Sequence, residues 1–137
     1  MQRLTPWFAA AWFFSLATVA GMVPLLFRHA PSPAIAGNLA AHLFSGETAV
    51  AAVCAVALLL LIQANKAAEL MDKAGLATLL IVTGLLANLL VELAVAPRIV
   101  ARDNLALWHG VGSGLYVLHA LCALGVWCLC LRQRSSA

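Results

Sequence analysis

Charge is what this sequence has least of. Five acidic and eight basic side chains supply 9% of its 137 residues, where a soluble domain carries about a quarter. So few charges cannot cover a water-facing surface, which excludes an ordinary soluble globule. Short alternating apolar segments are also missing, and with them a transmembrane β-barrel. The cysteines are few: Cys54, Cys122, Cys128 and Cys130 all fall inside apolar stretches. Cys128 and Cys130, two apart, point to nearly opposite sides of a helix, so neither a zinc nor a redox pair is spelled out. Buried packing accounts for them. The glycine-rich stretch HGVGSGL, residues 109–115, follows no strand and lacks the lysine of a phosphate loop. No nucleophile and base stand in a recognisable pattern, which argues against hydrolysis and leaves enzyme activity without a positive sign. The net charge of +3 resides in short flanking segments and implies no nucleic-acid partner.

Long apolar runs are what is present. Apolar residues make up 64% of the chain, with a mean hydropathy of +1.00. About 20 such residues cross the hydrocarbon core as a helix, and four stretches qualify: Trp7 to Phe27, Phe44 to Ile62, Leu76 to Val95 and Leu105 to Leu131. Backbone groups cannot reach water inside a bilayer, so helices are expected. The fold class that follows is all-α: a polytopic bundle of four transmembrane helices in a single domain, at about 7–27, 33–63, 76–95 and 105–131. Ser32 followed by Pro33 is a helix-start signal, so the second helix is expected to begin well before its apolar core. It is then extended, or bent at Ser45-Gly46 with residues 33–43 lying in the interface. The third helix is expected to end at Pro97, and Asn104 to cap the fourth. The N-terminus resembles a signal peptide, with Arg3 and the weak cleavage pattern Thr18-Val19-Ala20. Its apolar run continues to Phe27, past the ~7–15 residues of a signal core, so an uncleaved first helix is expected.

Lysine and arginine set orientation. Arg3, Lys66, Lys73, Arg132 and Arg134 fall on one side, and Arg28, Arg98 and Arg102 on the other. Five against three favours both termini in the cytoplasm. Trp7 and Trp127 are expected as anchors at the cytoplasmic interface and Trp108 at the opposite one. Lys66, Glu69, Asp72 and Lys73 make a balanced, solvated connector. Lipid is the expected surrounding, and a second copy or a partner membrane protein a possible neighbour.

Ionisable groups inside membrane helices are costly and mark sites. Threading the chain back and forth puts Arg28, His42, Glu47, Asn88, Glu92, Arg98, His109, Ser113 and Tyr116 in the non-cytoplasmic half. Asn88 and Glu92 stack one turn apart. His109, Ser113 and Tyr116 form a stripe from which His119 turns away, making His119 the weaker candidate. Glu92 can pair with Arg98 as a simple tether. Glu47 reads as a first-turn charge at the interface, and His29 as solvated. Gly110 and Gly114 are spaced for close approach of a neighbouring helix.

The segments LLFRHAPSPAIAGNLAAHLF, VAPR and LWHG, with Ser113 beyond, resemble the transmembrane protein 205-like family, whose bacterial part is the domain of unknown function 4149. Phe27, Arg28, Pro31, Gly37, Leu43, Phe44, Pro97, Arg98, His109, Gly110 and Ser113 carry the resemblance across nearly the whole chain. Ser45, Gly46 and Glu47 depart from it, as does the position of Asn88. The resemblance implies a small multi-pass protein of the bacterial inner (cytoplasmic) membrane, of undefined activity. The leading site reading is a ligand- or lipid-binding cluster of Arg28, Glu92, Arg98, His109 and Ser113. The arginines would hold an anionic group, and His109 with Glu92 would form a titratable pair. No cofactor is expected under it. One alternative makes His42 and His109 ligands of copper or b-type haem, since paired imidazoles suit either. Another is a scaffold or assembly subunit of a membrane complex.

Overall fold

The computed structural model describes residues 4–64 and 71–135. Arg3, Lys66 and Glu69, and the side chains of Asp72 and Arg134, lie outside the described residues. Helix α1 spans Thr5–His29, with Pro6 in the first turn, where a missing N–H is harmless. It ends as Ala30 turns extended. The Ser32 hydroxyl accepts from the Ile35 amide at 3.3 Å, and α2 runs from there over Pro33–Ala64. The expected cap is therefore in place, and so is the extended second helix. Helical structure continues through Ser45 and Gly46, so residues 33–43 form no separate interfacial helix.

The third crossing is composite. Helix α3, Met71–Leu90, passes into a π-helical segment, Val91–Val95, and then into α4, Ala96–Val100. Pro97 has no amide proton, and its ring crowds the carbonyl four residues back. The widened π turn just before it relieves that crowding, and the crossing continues to Val100 instead of stopping at the proline. Arg102 and Asn104 take positive φ, 56° and 36°, reversing the chain in a few residues. The Asn104 side-chain oxygen then accepts from the Leu107 amide at 3.4 Å, capping α5, Leu105–Ser135.

The four crossings close into a ring: α1 lies beside α2 and α5, and the third crossing lies beside α5 and α2. Long apolar side chains cover the outside, Leu60, Leu79, Leu93 and Leu121 among them, and small ones line the inside. The buried face of α2 is Ala36, Ala40, Glu47, Ala51, Cys54, Ala55 and Leu58. This is the small-residue lining that lets membrane helices approach. Trp12 fills the centre at 0% exposure, its ring reaching Gly84 on α3. A Cβ at Gly84 would stand 3.0 Å from the Trp12 ring and 3.1 Å from the Cys122 Cβ. Gly112 and Gly125 likewise seat Val95 and Leu80. Gly110 and Gly114 do not: nothing lies within 4 Å of a Cβ at either, so the expected close packing within the bundle falls on other glycines. Trp127 stacks on Phe13 at 5.7 Å and so packs between α1 and α5. Trp7 stands 68% exposed.

Candidate functional site

Polar groups occupy two levels, an exposed basic rim and a buried column beneath it. The rim sits where α1 ends and where α4 turns into α5. Arg28, His29, Arg98, Arg102, His109 and Ser113 are all exposed there. The Arg98 guanidinium lies 4.3 Å from the centroid of the Trp108 ring, a cation–π contact that fixes its direction. Glu92 is turned away from this rim. It sits half-buried in the π segment, and its Oε1 accepts the Ser45 hydroxyl at 2.8 Å. Neither the Glu92–Arg98 tether nor a Glu92–His109 pair is formed. The five residues of the expected cluster thus separate into four on the rim and one against α2. His42 also lies on an exposed face, its Nδ1 2.9 Å from the Asn38 carbonyl oxygen one turn back. His109 is exposed on α5, which is not among the principal neighbours of α2. Among the described residues, no three histidine, cysteine or acidic side chains gather as a metal set.

The buried column lies near the middle of the helices. Asn88, 4% exposed, receives the Thr48 hydroxyl at 3.2 Å and reaches back to the Thr48 carbonyl at 3.5 Å. Across the ring, the Tyr116 hydroxyl donates to the Leu16 carbonyl at 2.8 Å, and its ring meets Phe44 edge-on at 5.5 Å. Deeper still, the Trp12 indole N–H donates to His119 Nε2 at 2.7 Å. His119 is 1% exposed. A ring nitrogen that accepts is unprotonated, so His119 is a neutral imidazole with its proton on Nδ1.

Glu47 completes the column, and it is not the interfacial first-turn charge expected of it. It is 4% exposed, because α2 begins at Pro33 and carries it well past the first turn into the bundle. Its Oε1 is the one buried side-chain oxygen or nitrogen among the described residues that lacks a hydrogen-bond partner. Ser15 on α1 lies within hydrogen-bond reach of the carboxyl.

The sequence carried a signal for this column. Glu47 falls on the small-residue stripe of Ala36, Ala40, Ala51 and Ala55. His119 falls on that of Cys122, Ala123, Val126 and Cys130. His119 does turn away from His109, as expected, but the side it turns to is the core.

Four helices long and apolar enough to cross a membrane, closed around a lining of small residues, define a small multi-pass membrane protein. Its first three crossings and the start of the fourth, residues 7–107, match the family described as "Domain of unknown function (DUF4149)". The chain belongs to that family. The match stops short of His109, Gly110 and Ser113, so that part of the resemblance lies beyond it. No curated protein and no solved structure matches the chain.

Proposed function

We propose that this membrane protein binds the phosphate of anionic lipid headgroups at its basic rim, through Arg28 and Arg98, with His109 and Ser113 alongside. The observation that carries the reading is Arg98, exposed yet held over Trp108 at 4.3 Å. A guanidinium backed by an aromatic face offers its planar donors outward, in the fork that suits a phosphate. Each such cation near an anionic surface contributes about 1 kcal/mol. In the same reading the protein sits in a bacterial inner membrane with both termini cytoplasmic, in keeping with the five-to-three lysine and arginine bias.

The test is lipid retention. Protein extracted gently from vesicles containing phosphatidylglycerol and phosphatidylcholine is weighed by native mass spectrometry. Wild type is expected to keep phosphatidylglycerol selectively, and Arg28→Ala/Arg98→Ala to lose about thirtyfold in retention, two cations at about 1 kcal/mol each. Equal retention by both proteins would refute the reading. A second reading, as an assembly subunit, draws support from Gly110 and Gly114, which leave open space on α5. Replacing both with leucine would then disrupt a crosslinked complex that the arginine variants leave intact.

A further inference from the structure

Glu47 poses a question of proton inventory. A buried carboxyl group is normally satisfied by donors or by a cation, and here the surrounding hydroxyl donors are already committed. On α1, the Ser15 hydroxyl donates to the Trp12 carbonyl at 2.8 Å. On α5, the Tyr116 hydroxyl donates to the Leu16 carbonyl. On α2 itself, Thr48 donates to Asn88 and Ser45 to Glu92.

Among the described residues, the polar and titratable groups around Glu47 supply no cation. Helix α1 offers Ser15. The third crossing offers Asn88, and Glu92 nearer the rim. Helix α5 offers Tyr116, within electrostatic reach of Glu47, and His119, whose Nε2 is taken by Trp12. Helix α2 adds Cys54, also within electrostatic reach, and His42 on its exposed face.

An ionised carboxylate sealed among these groups would find their hydroxyl donors already committed, and removing such an ion from water costs several kcal/mol. A carboxylic acid fits without change. Its own O–H donates to the free lone pair of Ser15 Oγ, and its carbonyl oxygen, a weak acceptor, is left as the unpartnered Oε1.

We propose that Glu47 is an exchangeable proton-binding site inside the bundle, neutral while α1 and α2 are closed on it. To release the proton, the O–H bond breaks, the electron pair stays on the carboxylate, and water accepts the proton. That step requires α1 to part from α2 so that water reaches the carboxylate. The proton is thus a ligand of the closed bundle, independent of what the rim binds.

The experiment is infrared spectroscopy of the full chain in proteoliposomes, in H2O and D2O, over a pH series, for wild type and Glu47→Gln. At neutral pH the wild type is expected to show a carboxylic-acid carbonyl band that Glu47→Gln lacks. The band shifts down in frequency in D2O and is lost as pH rises. Absence of any such band at neutral pH would overturn the proposal. So would a band that neither exchanges in D2O nor titrates, since that is a sealed structural acid. Should Glu47→Gln fail to fold, Glu69→Gln/Glu92→Gln leaves Glu47 as the sole glutamate of the three in the chain. 13C-glutamate labelling then identifies its band directly.

Discussion

The hydrogen bond between Trp12 and His119 gives the most direct test of how the core is held. The perturbation is a double-mutant cycle of Trp12→Phe, His119→Leu and the pair together. The bond is short, 2.7 Å, and both side chains are fully buried. His119→Leu leaves the indole N–H without an acceptor, and Trp12→Phe leaves Nε2 without a donor. An orphaned buried polar group costs about 1–3 kcal/mol. The Trp12→Phe variant also opens a gap beside Gly84, so it should be the worse single change. In the double variant neither polar partner remains, so the orphan penalty disappears and only the packing loss persists. Interhelical hydrogen bonds in membranes couple by about 0.6 kcal/mol on average, and about 1.7 at most. A short, fully buried bond belongs above the average of that range, so about 1 kcal/mol of coupling is expected, roughly a fivefold change in the folding equilibrium. Reversible unfolding in mixed detergent measures all four proteins. Strict additivity, with the double variant as unstable as the sum of the singles, would refute the reasoning.

Other contacts make comparable predictions, each read by the same unfolding assay. Gly84→Ala places a methyl group against the Trp12 ring and Cys122 and should cost about 1–3 kcal/mol of overpacking. Gly110→Ala and Gly114→Ala, with open space around them, should change stability by no more than about 1 kcal/mol and in the stabilising direction. Asn88→Leu breaks the two-bond clasp on Thr48 and should lose about 1 kcal/mol, with Thr48→Val/Asn88→Leu no worse than the single variant. Ser45→Ala removes the donor to Glu92, which stays half-exposed, so the loss should be below about 1 kcal/mol. A loss several times larger would mean that Glu92 is more deeply sealed than its geometry indicates.

The architecture was legible because membrane helices are written in long runs and local caps. Ser32 and Asn104 announce the starts of α2 and α5 through short-range hydrogen bonds that depend on nothing distant. The third crossing was less legible, because Pro97 ordinarily ends a helix. Here a π turn over Val91–Val95 absorbs the crowding of its ring, and the segment packs beside α5 and α2. The helix also runs unbroken through Ser45-Gly46, for a related reason. Small residues weaken a helix exposed to water, but between membrane helices they are what permits close approach. On α5 the stripe of His109, Ser113 and Tyr116 divides: His109 and Ser113 are exposed, while Tyr116 turns in to the Leu16 carbonyl. Charged and polar residues near a helix end have water within reach and need no core. It is the isolated polar residue amid alanine and cysteine, Glu47 or His119, that has nowhere else to go.

One turn of α1 ties these observations together. Trp12 spans the ring to Gly84 and bonds His119, and its carbonyl takes the Ser15 hydroxyl. One turn on, the Leu16 carbonyl takes Tyr116. Each of these carbonyls is placed to serve its own helix ladder as well, which an sp² oxygen with two lone pairs can do. Ser15, between them, is the group that faces Glu47. The same turn therefore positions α5 through two hydrogen bonds, seats α3 through a ring contact and meets α2 at the Glu47 carboxyl. Movement of α1 away from α2 with α5 in place strains the α5 bonds, because they share this backbone. Proton exchange at Glu47 should then be faster in the Trp12→Phe/His119→Leu protein, whose α1 is held less firmly, even though its own carboxyl is untouched. The infrared D2O exchange rate of the Glu47 band measures this. An unchanged rate would mean that water reaches Glu47 by a route that leaves α1 in place.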